Sequence, residues 1–386
     1  MTLSVWYGDG PGSSRTSPRD ALRLAGHPGD AEHVVSLGWT VERHRWIDDP
    51  SFHARTVLAG YALSRAVAER RIVAIPVRLS AVSSMFVAAP ADVAVVTGVR
   101  RGSTLAFMES VAWADVLART ARRVVVEIDE EGVDLGAAEI EGNIVASVVR
   151  PPGPAAATAV SRPADEIDRW IGALVASLLP EEPTLQFGPG GIGEGVAGAL
   201  SRPVRILSGL VTNSMADLHQ RGLLLEPIVA AYAWGGEPIR RLAAAGMLRL
   251  SSPTVTHDLS KLSALPNFVG CNTALQVGLD AAVNVERVGQ RIIAAIGGHA
   301  DYCAGASRSV RGMSIIAVRS TAANGSSTIV PSVDVVSTAR SDIDVVVTEH
   351  GIADVRGIDD DERARRLIAI AAPEHREALH TRGQSR

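Results

Sequence analysis

Short runs dominated by Val and Ile recur along this chain, with longer helical patterns between them: RIVAIPV (71–77), ADVAVVTGV (91–99), RRVVVEID (122–129), VRILSGLV (204–211), MSIIAVRS (313–320) and IDVVVTE (343–349). Nearly continuous apolar runs of this length suit parallel strands covered on both faces, because a half-exposed strand would alternate. Between them Ile167, Trp170, Ile171, Leu174, Val175 and Leu178 follow helical spacing, and Pro163 stands just ahead, near a first turn that tolerates proline. Alternating strand and helix restricts the chain to an α/β layered fold.

A chain of 386 residues exceeds one typical core and accommodates two α/β domains. The stretch PPGPAAATAVSRP (151–163) has the composition of a linker or surface loop and is one possible boundary. The strand-like TLQFG (184–188) would extend the first domain beyond it, so the break is expected near residue 203, giving domains 1–203 and 204–386. The polar tail HTRGQSR (380–386) is expected to fray.

Charge is nearly balanced, 38 basic against 42 acidic residues, so no basic field is available for nucleic acid or an anionic membrane, and a small-molecule ligand is expected. No run of 18 apolar residues occurs, and MTLSVWYGDGPGSS lacks the basic and apolar regions of an export signal. Cys271 and Cys303 are too few for a disulfide framework and lack zinc-site spacing. These features together predict a cytoplasmic protein with no metal.

Three segments carry candidate chemistry. In LQFGPGGIGEGVAGAL (185–200) a strand runs through Gly188, Gly190, Gly191, Gly193 and Gly195 into a helix. Such glycines either let backbone N–H groups approach a ligand oxygen or simply make a tight strand-to-helix turn. In AAIGGHADYCAGASRSVRG (294–312) an apolar strand ends at Gly297 and Gly298, followed by His299, Asp301 and small residues, a form suited to backbone amides facing a carbonyl oxygen. Losing one such oxyanion donor typically costs about 2.7–4 kcal/mol of barrier. His299, Asp301, Cys303 and Ser307 also superficially resemble a hydrolase set, but triad members meet in space rather than in sequence, and Cys303 reads first as a buried small hydrophobe. In VVVTEHGIADVRG (345–357) a strand delivers Thr348, Glu349 and His350 into a turn. Glu349 either contacts ligand or holds structure by capping a helix or pairing with Arg356. Asp359 to Ala371 reads as an amphipathic helix ending before Pro373.

Together LQFGPGGIGEGV, AIGGHADYCAGASRS, and VVVTEHGIADVRG with its helix and AAPEHREAL resemble the acetyl-CoA hydrolase/transferase family, which includes the 4-hydroxybutyrate CoA-transferases. The resemblance is strong from about residue 164 to 379 and weak before about residue 70. It implies two similar open α/β domains of the CoA-transferase type with the active site between them, a homodimer, CoA esters as substrates, and no bound cofactor. It also implies that Gly188, Gly190, Gly297, Gly298, His299 and Asp301 belong to the oxyanion and CoA-binding elements.

Transferring members of the family use a glutamate that forms a glutamyl-CoA intermediate. In ILSGLVTNSMADLHQRGLL (206–224), anchoring on Asp217 and Leu218 puts Gly209 at that glutamate's position, and neighbouring Ser208, Thr212 and Asn213 are not carboxylates. In CNTALQVGLDAAVNVE (271–286), Gly278 stands where the family has aspartate. Two departures point to natural divergence and to direct attack by water, which needs a general base. Glu109, Glu194 and Glu349 are the candidates; for Glu109, in TLAFMESVAW, a first-turn carboxylate favoured by the helix dipole is an equal reading. Hydrolysis of an acyl-CoA is thus expected, with two alternatives: CoA transfer between carboxylic acids through another carboxylate, or a non-catalytic acyl-CoA binder or partner subunit.

Overall fold

The computed structural model describes residues 2–12, 14–42, 44–49, 54–142, 144–149 and 162–383. Contacts divide the chain into two compact units, each visited three times: Met1–Ala159 with Val229–Thr256 and Ile292–Gly297, and Val160–Ile228 with His257–Arg291 and Gly298–Arg386.

The first unit is built on β1 (Leu3–Tyr7), β2 (His33–Leu37), β3 (Ala54–Thr56), β4 (Ile72–Ala74), β5 (Val93–Arg101), β6 (Thr104–Phe107), β7 (Arg123–Ile128) and β8 (Ile144–Val149). They lie in the order β4-β3-β2-β1-β5-β7-β8, with β6 folded back on β5. All pairings along that order are parallel, and β5–β6 is antiparallel. Val93, Val95 and Val125 are buried in one core with Val5, Val35 and Leu37, as apolar runs covered on both faces require. The segment 229–256 joins this unit because Val111 N and Ala112 N donate to Ala231 O while Ala233 N donates to Glu109 O.

In the second unit, β9 (Thr184–Phe187) pairs in parallel with β10 (Arg205–Val211), Thr184 opposite Arg205. On its other side β9 pairs with Phe268–Asn272, followed by Met313–Ala317 and Val345–Thr348, all parallel, and Gly351–Asp354 closes the edge antiparallel. The break expected near residue 203 does not match this division. Residue 203 lies between β9 and β10, which are adjacent strands of one sheet linked through the Gly191–Ala199 helix, so a boundary there would cut a single strand–helix–strand unit. The candidate linker 151–163 lies outside the described residues except for its last two.

The helix expected after Pro163 is Glu166–Leu178, started by a capping box in which Asp165 and Asp168 satisfy each other's backbone N–H groups. Its buried face is Asp168, Ile171, Gly172 and Val175, while Trp170 is 55% exposed and Ile167 is also exposed. Helical periodicity alone therefore set the face slightly wrong: the neighbouring helix comes close enough to demand glycine, and the bulky residues are turned aside. Asp360–Ala369 is a helix as expected, and Pro373–Gly383 continues helical well into the tail expected to fray.

Candidate active site

The glycine-rich segment separates into two groups with different work. A Cβ built on Gly191 would collide with the Asp168 carboxylate, on Gly193 with Gly188 O, on Gly195 with Asp168 O, and on Gly172 across the gap with the Gly195 backbone. Gly172 and Gly195 thus let the Glu166–Leu178 and Gly191–Ala199 helices touch backbone to backbone, while Gly191 makes room for the Asp168 carboxylate and Gly193 for Gly188 O. Gly195→Ala is accordingly expected to destabilise by about 1–3 kcal/mol, the usual cost of overpacking, read as a lower denaturant midpoint; an unchanged midpoint would show the helices can separate freely. Gly188 and Gly190 meet nothing when given a Cβ, and Gly190 adopts φ +113°, a region that favours glycine. They line a cavity of about 360 Å³ with Phe187, Asn272, Thr273 and Arg319.

One wall of that cavity is fixed by charge. Asp168, whose side chain is 1% exposed, accepts from Arg319 Nε at 3.1 Å and Nη2 at 2.7 Å, and from Arg162. Asp165 pairs with the same two arginines, and the Arg319 hydrogen bond foremost holds its carboxyl well below the ordinary carboxylate range.

The segment 294–312 enters a ten-residue helix, His299–Arg308, with Gly298 at its N-cap. Gly297 takes φ +54° and its carbonyl accepts from Leu79 N. His299 Nε2 lies 3.1 Å from Thr273 O and Nδ1 lies 2.8 Å from Thr338 Oγ1. A carbonyl only accepts, so Nε2 carries the proton and Nδ1 receives the threonine hydroxyl; burial lowers the ring to about 4. Both nitrogens are thus engaged in holding the helix. Asp301 is buried in the first turn. Cys303 is fully buried, and burial pushes its thiol up to about 12, so the contact of its sulfur with His299 Nδ1 at 3.7 Å activates no nucleophile. Ser307 donates to Ala304 O within the helix, which completes the case against a hydrolase set here.

Each of the three candidate bases sits in a different setting. Glu109 lines a cavity of about 40 Å³ in the first unit, with Asp9 and Ser110, large enough for water. Glu194, in the first turn of Gly191–Ala199, accepts from Ser214 Oγ at 3.1 Å. Glu349 accepts from both Ser320 N at 2.9 Å and Ser320 Oγ at 2.6 Å, and its carbonyl accepts from Trp170 Nε1, so it ties together three elements of the second unit.

Gly209 leads to two residues that sequence reasoning passed over. A Cβ there would stand 3.3 Å from His257 Nε2, tighter than ordinary van der Waals contact, and 3.4 Å from Tyr302 Oη. The His257 and Tyr302 rings pack 4.6 Å apart. A Cβ at Gly298 would collide with the same imidazole, so glycine backbone borders the pair at both places. Burial lowers His257 to about 3 and raises the Tyr302 phenol well above its usual value, which keeps both neutral. His257 was hidden by its place beside Asp258, the N-cap of the next helix, and Tyr302 by the more conspicuous residues around it. Among the described residues no group of three His, Cys, Asp or Glu side chains is placed to hold a metal ion, and no helix is long and apolar enough to cross a membrane.

Comparison with known proteins agrees with this architecture. The chain is 32% identical over 229 residues to a 4-hydroxybutyrate coenzyme A transferase of Clostridium kluyveri, covering 55% of this chain and 53% of that one. It is 31% identical over 219 residues to an acetyl-CoA hydrolase of Eremothecium gossypii, covering 54% and 41%. The chain thus matches about half the length of these curated relatives. The crystal structure of RipA from Yersinia pestis superposes with a TM-score of 0.84 at 23% identity, over 99% of this chain and 94% of that one, a likeness of fold. Residues 241–382, a little over a third of the chain, match the acetyl-CoA hydrolase/transferase C-terminal domain.

Proposed function

We propose that the protein is an acyl-CoA-processing enzyme that hydrolyses its thioester substrate. The observation that carries this reading is the setting of Gly209: the position matched to the transferase glutamate lacks a side chain, and even a Cβ there would press on His257 and Tyr302. A nucleophilic carboxylate built from that position would need both rings to move. The relative named acetyl-CoA hydrolase supports the same reading. The open glycines Gly188 and Gly190 and the Gly297–Gly298 entry to a helix N-terminus would receive the CoA ester and its developing oxyanion, with water as second substrate. Glu109, Glu194 and Glu349 remain the candidate bases. No resident cofactor is required, the two free, buried cysteines suit a reducing cytoplasm, and the family resemblance implies a homodimer.

Transfer of CoA through another carboxylate is the second reading, favoured by the 32% identical relative named a transferase. The test is incubation with acetyl-, succinyl- and 4-hydroxybutyryl-CoA, with and without acetate, following free thiol and new CoA esters. Thiol release independent of acetate is expected. New acyl-CoA formed only with acetate, together with trapping by borohydride, would overturn hydrolysis. CoA binding without either product would favour a binding paralogue or partner subunit.

A further inference from the structure

We propose that the glycine-lined cavity of the second unit is the acyl pocket, and that it selects an uncharged aliphatic acyl group longer than acetyl. The inference rests on the acyl-CoA reading but not on the choice between hydrolysis and transfer.

The cavity of about 360 Å³ is graded by burial. Phe187, Cys271 and Val318 are buried in its wall, Ile192 and Leu275 are half-buried, and Pro189 and Ala322 are exposed. It therefore runs from solvent to apolar side chains. Glycine keeps part of it open, because a Cβ built on Gly188 meets nothing within 4 Å.

The amide and charged side chains along it are already partnered within the protein. Asn272 exchanges hydrogen bonds with Gln186 at 3.1 and 3.3 Å. Arg162 and Arg319 both pair with Asp165 and Asp168, two cations against two anions, which leaves that wall without net charge. The buried hydroxyl of Thr328 donates to Arg319 O at 2.6 Å. A carboxylate at the end of an acyl chain would find no uncommitted cation among the described lining residues, and burying it unpaired is costly. What the cavity offers beyond glycine backbone is apolar surface, which an aliphatic chain uses in full.

Size points the same way. A methylene takes roughly the 30 Å³ that a water molecule occupies in the liquid, so an acetyl group would leave most of the 360 Å³ empty. By the same measure a chain of about six to eight carbons occupies the greater part of it. Its thioester would stay at the Gly188 and Gly190 loop, which lines the same cavity.

Alkyl-CoA thioethers test this without turnover, because they keep the chain and have no thioester to cleave. Calorimetry with CoA and its S-ethyl, S-butyl, S-hexyl and S-carboxypropyl ethers gives affinities for wild type and for Gly188→Leu. From ethyl to hexyl the dissociation constant should fall about fourfold per methylene, the transfer value of a buried CH₂. The carboxypropyl ether should bind at least about tenfold more weakly than the butyl ether, for want of a partner for its charge. Gly188→Leu puts a side chain into the open space and should flatten the dependence on chain length. Should that variant not fold, Ala322→Leu, at an exposed position of the lining, carries the same expectation. Affinity independent of chain length, with CoA itself bound, overturns the proposal, assigns the cavity to another part of CoA and leaves the acyl-CoA reading standing. A carboxypropyl ether that binds as tightly as butyl, or an unaltered chain-length dependence in the folded variants, also overturns it. No binding of CoA or of any ether by wild type overturns both.

Discussion

Arg319→Met is expected to destabilise the second unit by about 3 kcal/mol, measured as a drop in the urea midpoint at constant slope. Removing one partner of a buried ion pair usually costs about 3–5 kcal/mol, because it strands a charge away from water. Asp168 is such a charge: its side chain is 1% exposed, and Arg319 supplies two of its hydrogen bonds. The effect should fall at the lower end of the range because Arg162 remains, more than half exposed, as a second partner. Arg340–Asp360 is the contrast within the same unit: both side chains are over half exposed, so breaking that pair should cost no more than about 1 kcal/mol. Combining Arg319→Met with Asp168→Asn removes the stranded charge and should recover part of the loss. Equal costs for the Arg319 and Arg340 variants would show that Asp168 is hydrated in solution. Asp168 also lies against Gly191 at the start of the glycine-rich helix, so the same variant should raise KM for acyl-CoA by disturbing the loop at Gly188 and Gly190.

How far the sequence spoke for itself depended on what kind of signal each feature leaves. Strands such as Val93–Arg101 and Val345–Thr348 were legible because burial on both faces writes an unbroken apolar run. β1 to β3 were not, since Ser4, Ser36 and Arg55 interrupt their short apolar runs. Glycine density at 188–195 was visible, but its division into open and packing glycines depends on the helix that crosses it. Glu349 illustrates the same limit, because both readings given to a strand-end carboxylate need its partner, and the serine that binds it lies 29 residues away. His257 and Tyr302 left almost no trace. Nothing in THDLS or HADYC distinguishes a buried neutral histidine and an unpartnered phenol from ordinary core residues, and only the glycine opposite them makes the pair conspicuous.

His257 should make the fold sensitive to acid in a way one substitution can isolate. The ring is 1% exposed, and burial lowers its pKa from the ordinary 6.5 to about 3. A histidine depressed in the folded state binds its proton more readily when unfolded, so its neutral form contributes full stability above pH 6.5. That contribution is lost as pH falls through 6.5 toward 3. The loss runs at about 1.4 kcal/mol per pH unit, or about 3 kcal/mol by pH 4. His299, lowered to about 4 by the same cause, has the same sign and adds to the total. Unfolding free energies of wild type and His257→Gln, measured at pH 7, 5 and 4, separate the two, because His299 is common to both and cancels in the difference. The variant should be less stable than wild type at pH 7, where a well-packed neutral ring is lost, and should close that gap by about 3 kcal/mol at pH 4. A constant gap across the range would mean that His257 is protonated as easily folded as unfolded. In that case the ring beside Gly209 would keep its ordinary 6.5, staying mostly neutral at pH 7 and becoming an imidazolium beside the phenol of Tyr302 only in more acidic solution.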